Sequence, residues 1–378
     1  MKHRTASLFT AFLFLVLSNT AYADTPTVQS DEHLEKARVV SVTGSQREQV
    51  AGTEIYTHVQ TITADILDGP DKGKEVTFTN DYTQLAAGDV FYARHTLNQL
   101  DGTDTWSVSD PYRIPVLVCL LGVFLVLLFM FGGTQGVRGL LSLIGSLVLI
   151  LGILLPGIYA GVSPVLLCLG IASLIIILGS YITHGFTRTT TAAVLGMIST
   201  VTLTGIGAYV VIHVSHLSGF TSENNAYLNF ATDGRIDMLG LLFGGIMIGL
   251  LGVLYDIAIG QAVTVEELYR ASSHYSRKDV YKRALRIGRE HIGALVNTLA
   301  IAYVGAALPL RLLFKQSTTG PEYIVNGELF ATEIIRILIG CIGLVLAVPI
   351  TTYISTYLFK DIRNSSTEGA NTTHGHLH

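Results

Sequence analysis

The residues best suited to chemistry are polar groups that lie in or beside long apolar stretches. Asp256 lies within Val-Leu-Tyr-Asp-Ile-Ala, while His184, Glu290, His291 and Asn297 lie close to the ends of their own apolar stretches. Burying such groups in lipid is costly, so each needs a partner, a proton or water. If their helices face one another, the five side chains form one polar pocket, in which a histidine beside Asp256 suits proton transfer. The alternative is that they are interfacial groups in contact with water.

A second set of polar residues lies near the other ends of the apolar stretches. Glu333 and Arg336 are three residues apart on one helical face and can pair. With Arg311 they favour an ion-pair network at the membrane edge, where long side chains reach water. His213 and His216 have a spacing that could hold a metal ion, but no third ligand is evident. No metal site is therefore predicted.

Sequence motifs of common enzymes are missing. The chain has no H-E-x-x-H, no G-x-x-x-x-G-K-[ST] and no G-x-S-x-G. Tyr255-Asp256 is half of an intramembrane aspartyl protease motif, but that chemistry needs a second carboxylate sharing a proton. No second aspartate stands in a matching context. The sequence therefore predicts neither an enzyme nor a cofactor.

The composition is that of a membrane protein. Of the 378 residues 49% are hydrophobic and only 14% are charged, against about 25% charged in soluble proteins. The apolar residues form blocks of about 20, the length that crosses a bilayer. We predict an all-α polytopic domain over 114–360 with about seven transmembrane helices. The expected spans are 114–132, 139–157, 164–183, 191–212, 237–260, 292–314 and 333–358.

The first 23 residues have the pattern of a signal peptide. Lys2 and Arg4 precede a short apolar run from Leu8 to Leu17, and Ala21-Tyr22-Ala23 is a typical cleavage site. An uncleaved anchor is the alternative, although the run is shorter than a good span.

Residues 24–113 read as a small soluble β domain. They contain 15 acidic and 7 basic residues, a formal net charge of −8. This negative charge argues against nucleic-acid binding, which needs basic residues. Short alternating runs separated by turn residues predict five strands and an OB-like or SH3-like barrel. The expected strands are 37–43, 55–66, 75–79, 90–95 and 105–108.

Loop charges predict the orientation. If residue 113 is outside, the inside segments carry 11 Lys and Arg residues and the short outside loops carry two. Positive charge stays inside, so we predict a multi-pass protein of the bacterial inner membrane with an external β domain. The C-terminus, with a disordered tail over 361–378, is then cytoplasmic.

The connection over 261–291 is the largest predicted cytoplasmic feature. It carries seven basic residues, and Val280, Ala284 and Ile287 recur at helical spacing. We expect an amphipathic helix lying on the inner surface, in contact with anionic lipid. Docking of a cytoplasmic protein partner is the alternative.

The stretch Arg289 to Leu310, with the sequence REHIGALVNTLAIAYVGAALPL, resembles the YibE/F-like membrane protein family. So do Gly240 to Asp256, which ends in LLGVLYD, and the segment GGTQG from Gly132 to Gly136. The resemblance covers roughly 112–360 and implies a multispan bacterial membrane protein. It weakly implies a link to peptide or bacteriocin export, and it supplies no functional residues.

Two functions remain open from the sequence. The first is a permease or export component for a small solute, ion or peptide, with Asp256 and His291 handling protons or substrate charge. The second is a non-transporting accessory protein that binds an exported partner through its outer β domain. The oligomeric state is not predicted.

Overall fold

A computed structural model describes residues 31–49, 52, 54, 56–97, 104–272, 274–309, 312 and 320–359. The predicted signal peptide, the predicted tail and Arg311 lie outside these residues. The chain divides into two compact units, one up to residue 131 and one from residue 132. Each is described by itself.

The first unit contains an antiparallel sheet of five strands in the order β3-β2-β1-β4-β5. The long central strand β1 pairs with both β2 and β4, and its bulges near Ser41 and Gly44 bend it. All five expected strands are present, most of them longer than predicted. Their bounds are β1 Asp31–Gln49, β2 Tyr56–Ile66, β3 Glu75–Asn80, β4 Val90–Leu97 and β5 Asp104–Pro111.

Alternating side chains build the core of the sheet. Ala37 lies opposite Ile66 on β2 and Phe91 on β4, and each of the three is no more than 2% exposed. Because side chains of a strand alternate between faces, the sequence neighbours of these three residues point to the opposite face of the sheet. The apolar alternation in the sequence therefore identified the strands.

The remaining regular elements are helices. A π-helical turn at Ile150–Leu154 joins α1 to α2. The bounds are α1 Ile114–Leu149, α2 Leu155–Tyr159, α3 Pro164–His184, α4 Arg188–Val214, α5 Glu223–Ala231, α6 Met238–Ala271, α7 Arg277–Ala306, α8 Pro321–Asn326 and α9 Glu328–Leu358.

Among the described residues, five helical segments are long and apolar enough to cross a membrane: Ile114–Tyr159, Pro164–His184, Arg188–Val214, Met238–Ala271 and Glu328–Leu358. The first holds two of the predicted spans in 46 residues, and its helix is interrupted at Gly133, whose φ is 52° and ψ −138°. The predicted span 292–314 is not among the five, because α7 is basic in its first half and residues 310, 311, 313 and 314 are not described.

The expected surface helix over 261–291 is wrong in its geometry. This segment instead continues α6 to Ala271 and begins α7 at Arg277. Ser276 accepts from the backbone N–H of Asp279, whose side chain accepts from Ser276 in return, so a capping box starts α7 there. The face that carries Val280 and Ala284 is buried in protein rather than lipid.

The second unit is a bundle in which α3, α4, α6, α7 and α9 share one apolar core. The end where α4 and α7 begin is called the basic end, and the end where α6 and α9 begin is called the far end. Glycines allow close approach: a Cβ on Gly244 would lie 2.4 Å from Cys168 Sγ on α3. Such a close contact is typical of glycines at helix–helix interfaces.

Candidate functional site

Four of the five predicted polar residues are exposed. These four are Asp256, Glu290, His291 and Asn297, all on the second unit. None of the four makes a hydrogen bond or ion pair with another residue of the described chain. His184 is half-buried, and its ring lies 5.9 Å from that of Tyr255.

The rotation of α6 explains the position of Asp256. Leu254, Ile257 and Ala258 are buried in the bundle. Asp256 lies on the opposite face of α6 and therefore points outward. The role of the five predicted polar side chains as a binding or proton-transfer site stays a prediction.

The second predicted set is paired on α9. Glu333 Oε1 and Arg336 Nη1 lie 3.1 Å apart, with both side chains about a quarter exposed. The buried Nε of Arg336 has no partner among the described residues. This i,i+3 pair is the one that the sequence spacing indicated.

His213 in the last turn of α4 and His216 just after this helix do not share a site. His213 lines a cavity of about 370 Å³ with Asp237, whereas His216 lines a separate cavity of about 690 Å³ with Glu328. Within the described ranges, no group of three His, Cys, Asp or Glu residues could hold a metal ion.

A row of small and hydroxyl residues that was not predicted from the sequence lies in the bundle core, where α4 and α9 pack in antiparallel directions. We call it the seam. On α4 it consists of Gly196, Thr200 and Thr204, which recur every four residues and therefore share a face. On α9 it consists of Gly343, Thr351 and Ser355.

The two faces of the seam are in close contact. A Cβ on Gly196 would lie 2.4 Å from Thr351 Oγ1, and one on Gly343 would lie 3.1 Å from Thr204. The four hydroxyl residues of the seam are no more than 2% exposed. Glycine is needed at both contacts because any larger side chain would separate the helices.

Three hydroxyls of the seam have no hydrogen-bond partner among the described residues. They belong to Thr204, Thr351 and Ser355. Thr200, in contrast, donates to the carbonyl of Gly196 at 2.8 Å, the usual way in which a helical threonine satisfies its hydroxyl. A buried polar group without a partner costs about 1–3 kcal/mol. Three such groups on one interface mark a functional candidate.

Beyond the seam, polar contacts tie α6, α7 and α9 together at the basic end. The buried Gln261 donates to the carbonyl of Ala284 at 3.3 Å. The guanidinium of Arg277 lies 5.0 Å from the ring centre of Tyr353 and 4.6 Å from that of Tyr357, a cation–π arrangement. These contacts hold the start of α7 against α9.

Comparison with known proteins identifies the family. A family model described as YibE/F-like protein matches residues 120–361, which is more than half of the chain. The chain belongs to the YibE/F-like family. A second model, described as the YibE/F family N-terminal domain, matches residues 32–96. No curated protein and no solved structure gave a significant match.

The two matched regions correspond to the two structural units of this YibE/F-like protein. The N-terminal match begins and ends within strands β1 and β4. The longer match contains every residue of the seam, of the Glu333–Arg336 pair and of the exposed set around Asp256. The candidate sites therefore all belong to the part of the chain that defines the family.

Proposed function

We propose that this YibE/F-like protein is a permease or export component that moves a small polar solute or ion along the seam. One observation carries the proposal: the hydroxyls of Thr204, Thr351 and Ser355 are buried without partners on the interface of α4 and α9. Hydroxyl oxygens can both donate and accept. They suit water, a monovalent cation or a polar solute that enters when the interface opens.

Small residues on both helices support such an opening. The direct contacts at Gly196 and Gly343 let the helices pack closely without interlocked large side chains, which is the kind of surface that can shift. The seam replaces Asp256 as the centre of the transport hypothesis, because Asp256 faces outward.

The proposal includes a topology of seven spans in the bacterial inner membrane. The break at Gly133 divides the first helical segment into two spans, since 46 residues of helix measure about 69 Å, twice a bilayer core. The second half of α7 supplies the sixth. The basic end is then cytoplasmic, and the β unit lies outside. We propose that this unit is an OB-type barrel, because β1 is the central strand and pairs with both β2 and β4.

An accessory role is the second candidate, and exposed apolar side chains of the β unit favour it. Leu34, Tyr56 and Tyr82 are 60%, 62% and 61% exposed. Such residues suit contact with an exported protein partner. Capture of a partner by wild type but not by a Tyr56→Ser, Tyr82→Ser variant, together with no flux in vesicles, would favour this role.

The test of the permease proposal is a flux measurement in sealed vesicles that contain the purified full chain. Protons, Na⁺ and K⁺ are the probes, followed with internal fluorescent indicators. Wild type is compared with a Thr351→Val, Ser355→Ala variant and with Thr202→Val as a control, because Thr202 lies on the exposed face of α4.

We expect flux of at least one probe above that of empty vesicles. The seam variant should reduce it at least tenfold, and Thr202→Val should leave it unchanged. Flux that survives in the seam variant would contradict the seam as the route. No flux above empty vesicles for any of the three ions would contradict the permease for these ions.

A further inference from the structure

A cavity of the second unit lies at the far end of the two helices that form the seam. It measures about 690 Å³, within the usual range for small-molecule sites. One wall is the turn that follows α4, including His216, and the other is α8 with the first two turns of α9. We call this cavity the cleft.

Two carboxylates, Glu322 and Glu328, line the cleft, and none of the described residues that line it is a lysine or arginine. Glu328 is fixed in place: its Oε1 accepts from the backbone N–H groups of Ser218 at 2.7 Å and Gly219 at 3.0 Å. Ser218 Oγ lies 2.8 Å from both carboxylate oxygens and is the one hydrogen-bond partner of Oε2 among the described residues. Because a carboxylate oxygen has two lone pairs, Oε2 can accept a further hydrogen bond from a ligand.

Val325, Ile334 and Ile335 on α8 and α9 add apolar side chains to the lining of the cleft. A site with negative charge on one side and an aliphatic wall on the other fits a ligand with a cationic head and an apolar body. A bare metal ion fits less well, because no group of three metal-ligating side chains is present among the described residues.

We propose that the cleft binds organic cations, ammonium compounds with an apolar substituent, at the outer mouth of the seam. The position of the cleft at the outer end of a transport route rests on the proposed function, but the binding itself does not require transport. The ammonium group lies between Glu322 and Glu328, and the apolar substituent lies against Val325 and Ile335.

The test is a binding titration of the full chain in detergent, with phenethylammonium as the probe. Phenethyl alcohol has the same shape without the charge, and 3-phenylpropionate reverses the charge. The variants are Glu322→Gln and Glu328→Gln, with Glu223→Gln as the matched control, since Glu223 is an exposed carboxylate on α5 outside the cleft. Val325→Trp fills the cleft without removing a charge, and it covers the case in which Glu328→Gln loosens the Ser218 turn.

We expect saturable binding of phenethylammonium and binding of the alcohol and the propionate that is weaker by at least about tenfold. Glu322→Gln, Glu328→Gln and Val325→Trp should each weaken binding by about tenfold or more, and Glu223→Gln should not change it. Equal binding of the cation and the alcohol, or an equal loss in Glu223→Gln, would overturn the proposal.

The flux measurement separates the two proposals. Saturable binding without flux would contradict the permease and leave the cleft as a binding site. Flux without phenethylammonium binding would contradict the cleft and leave the seam.

Discussion

The network around Gln60 in the β unit and the seam of the bundle differ in how their buried polar groups are satisfied. In the β unit, the buried Gln60 donates to the carbonyl of Leu85 at 3.1 Å and accepts from the Leu85 N–H at 2.9 Å. It also accepts from Asn80, whose amide reaches the Thr83 carbonyl. In the bundle, Thr204, Thr351 and Ser355 are as deeply buried and have no such partners in the described chain.

The difference indicates what each unit is built to do. The satisfied network around Gln60 favours one conformation, as in a rigid domain. Hydroxyls left without partners favour any state that brings them water or a ligand, since their burial has a cost in the packed state. The seam is therefore the part of the molecule most suited to change.

The largest effect should come from blocking the seam. Gly196→Val places side-chain atoms where Thr351 Oγ1 and Cα now lie, 2.4 and 3.0 Å from the ideal Cβ. We expect a loss of about 3 kcal/mol in the free energy of unfolding, measured by unfolding in mixed detergent and denaturant. Gly207→Val is the control on the same helix, because its Cβ would meet nothing within 4 Å. Equal losses in the two variants would remove the evidence for tight packing at the seam.

Breaking the satisfied network in the β unit should have the next largest effect. Gln60→Met leaves the N–H and C=O of Leu85 without their side-chain partners, which should lower the stability of this unit by about 2 kcal/mol. Trp106, the only tryptophan of the chain, lies on β5 and reports the unfolding of the β unit by its fluorescence. Gln46→Met, at an exposed position on β1, should have no such effect.

Removing an unpartnered hydroxyl of the seam should act in the opposite direction. Thr351→Val keeps the side-chain shape and removes the buried oxygen, so we expect the free energy of unfolding to rise by about 1 kcal/mol while flux falls. Thr352→Val removes a hydroxyl that donates to the Val348 carbonyl at 2.6 Å and should not be stabilising. A loss of stability in Thr351→Val would show that its hydroxyl has a partner in the native protein.

The smallest effect concerns the start of α7, outside both networks. Hydrogen bonds from Ser276 lower the pKa of Asp279 below its ordinary value. A carboxylate whose pKa is lowered on folding stabilises the fold above its unfolded pKa of about 3.9, and that contribution is lost as the pH falls through the lower folded pKa. Ser276→Ala should remove about 0.5 kcal/mol from the local stability of the α6–α7 turn.

Amide hydrogen exchange in the first turn of α7 is the measurement for this effect. The difference in exchange rate between wild type and Ser276→Ala should shrink as the pH approaches that of Asp279 protonation. A difference that grows on acidification would contradict the capping contact.

The sequence was informative where a local pattern decides the structure. Alternation and turn residues identified the five strands, apolar runs identified the helices, and an i,i+3 spacing indicated the Glu333–Arg336 pair. The rotation of Asp256 could not be predicted, because helices that are apolar on most faces carry little information about which face is buried.

The seam was missed for a related reason. Thr200 and Thr204 occupy equivalent positions one turn apart, yet only Thr200 bonds to the preceding turn. That difference depends on side-chain rotamers and on α9, not on spacing. The Gly196-x-x-x-Thr200-x-x-x-Thr204 pattern was the only signal of the seam in α4, and it equally fits ordinary helix packing.

Opening of the seam to water is tested most directly by thiol labelling. Cys119, Cys168 and Cys341 are first replaced by alanine, and Thr351→Cys or Met247→Cys is then introduced, because both positions are fully buried in the bundle. A membrane-impermeant reagent that reacts only with hydrated thiolates is applied to sealed vesicles. We predict labelling of Thr351→Cys and none of Met247→Cys. Equal resistance of the two thiols would contradict an opening seam.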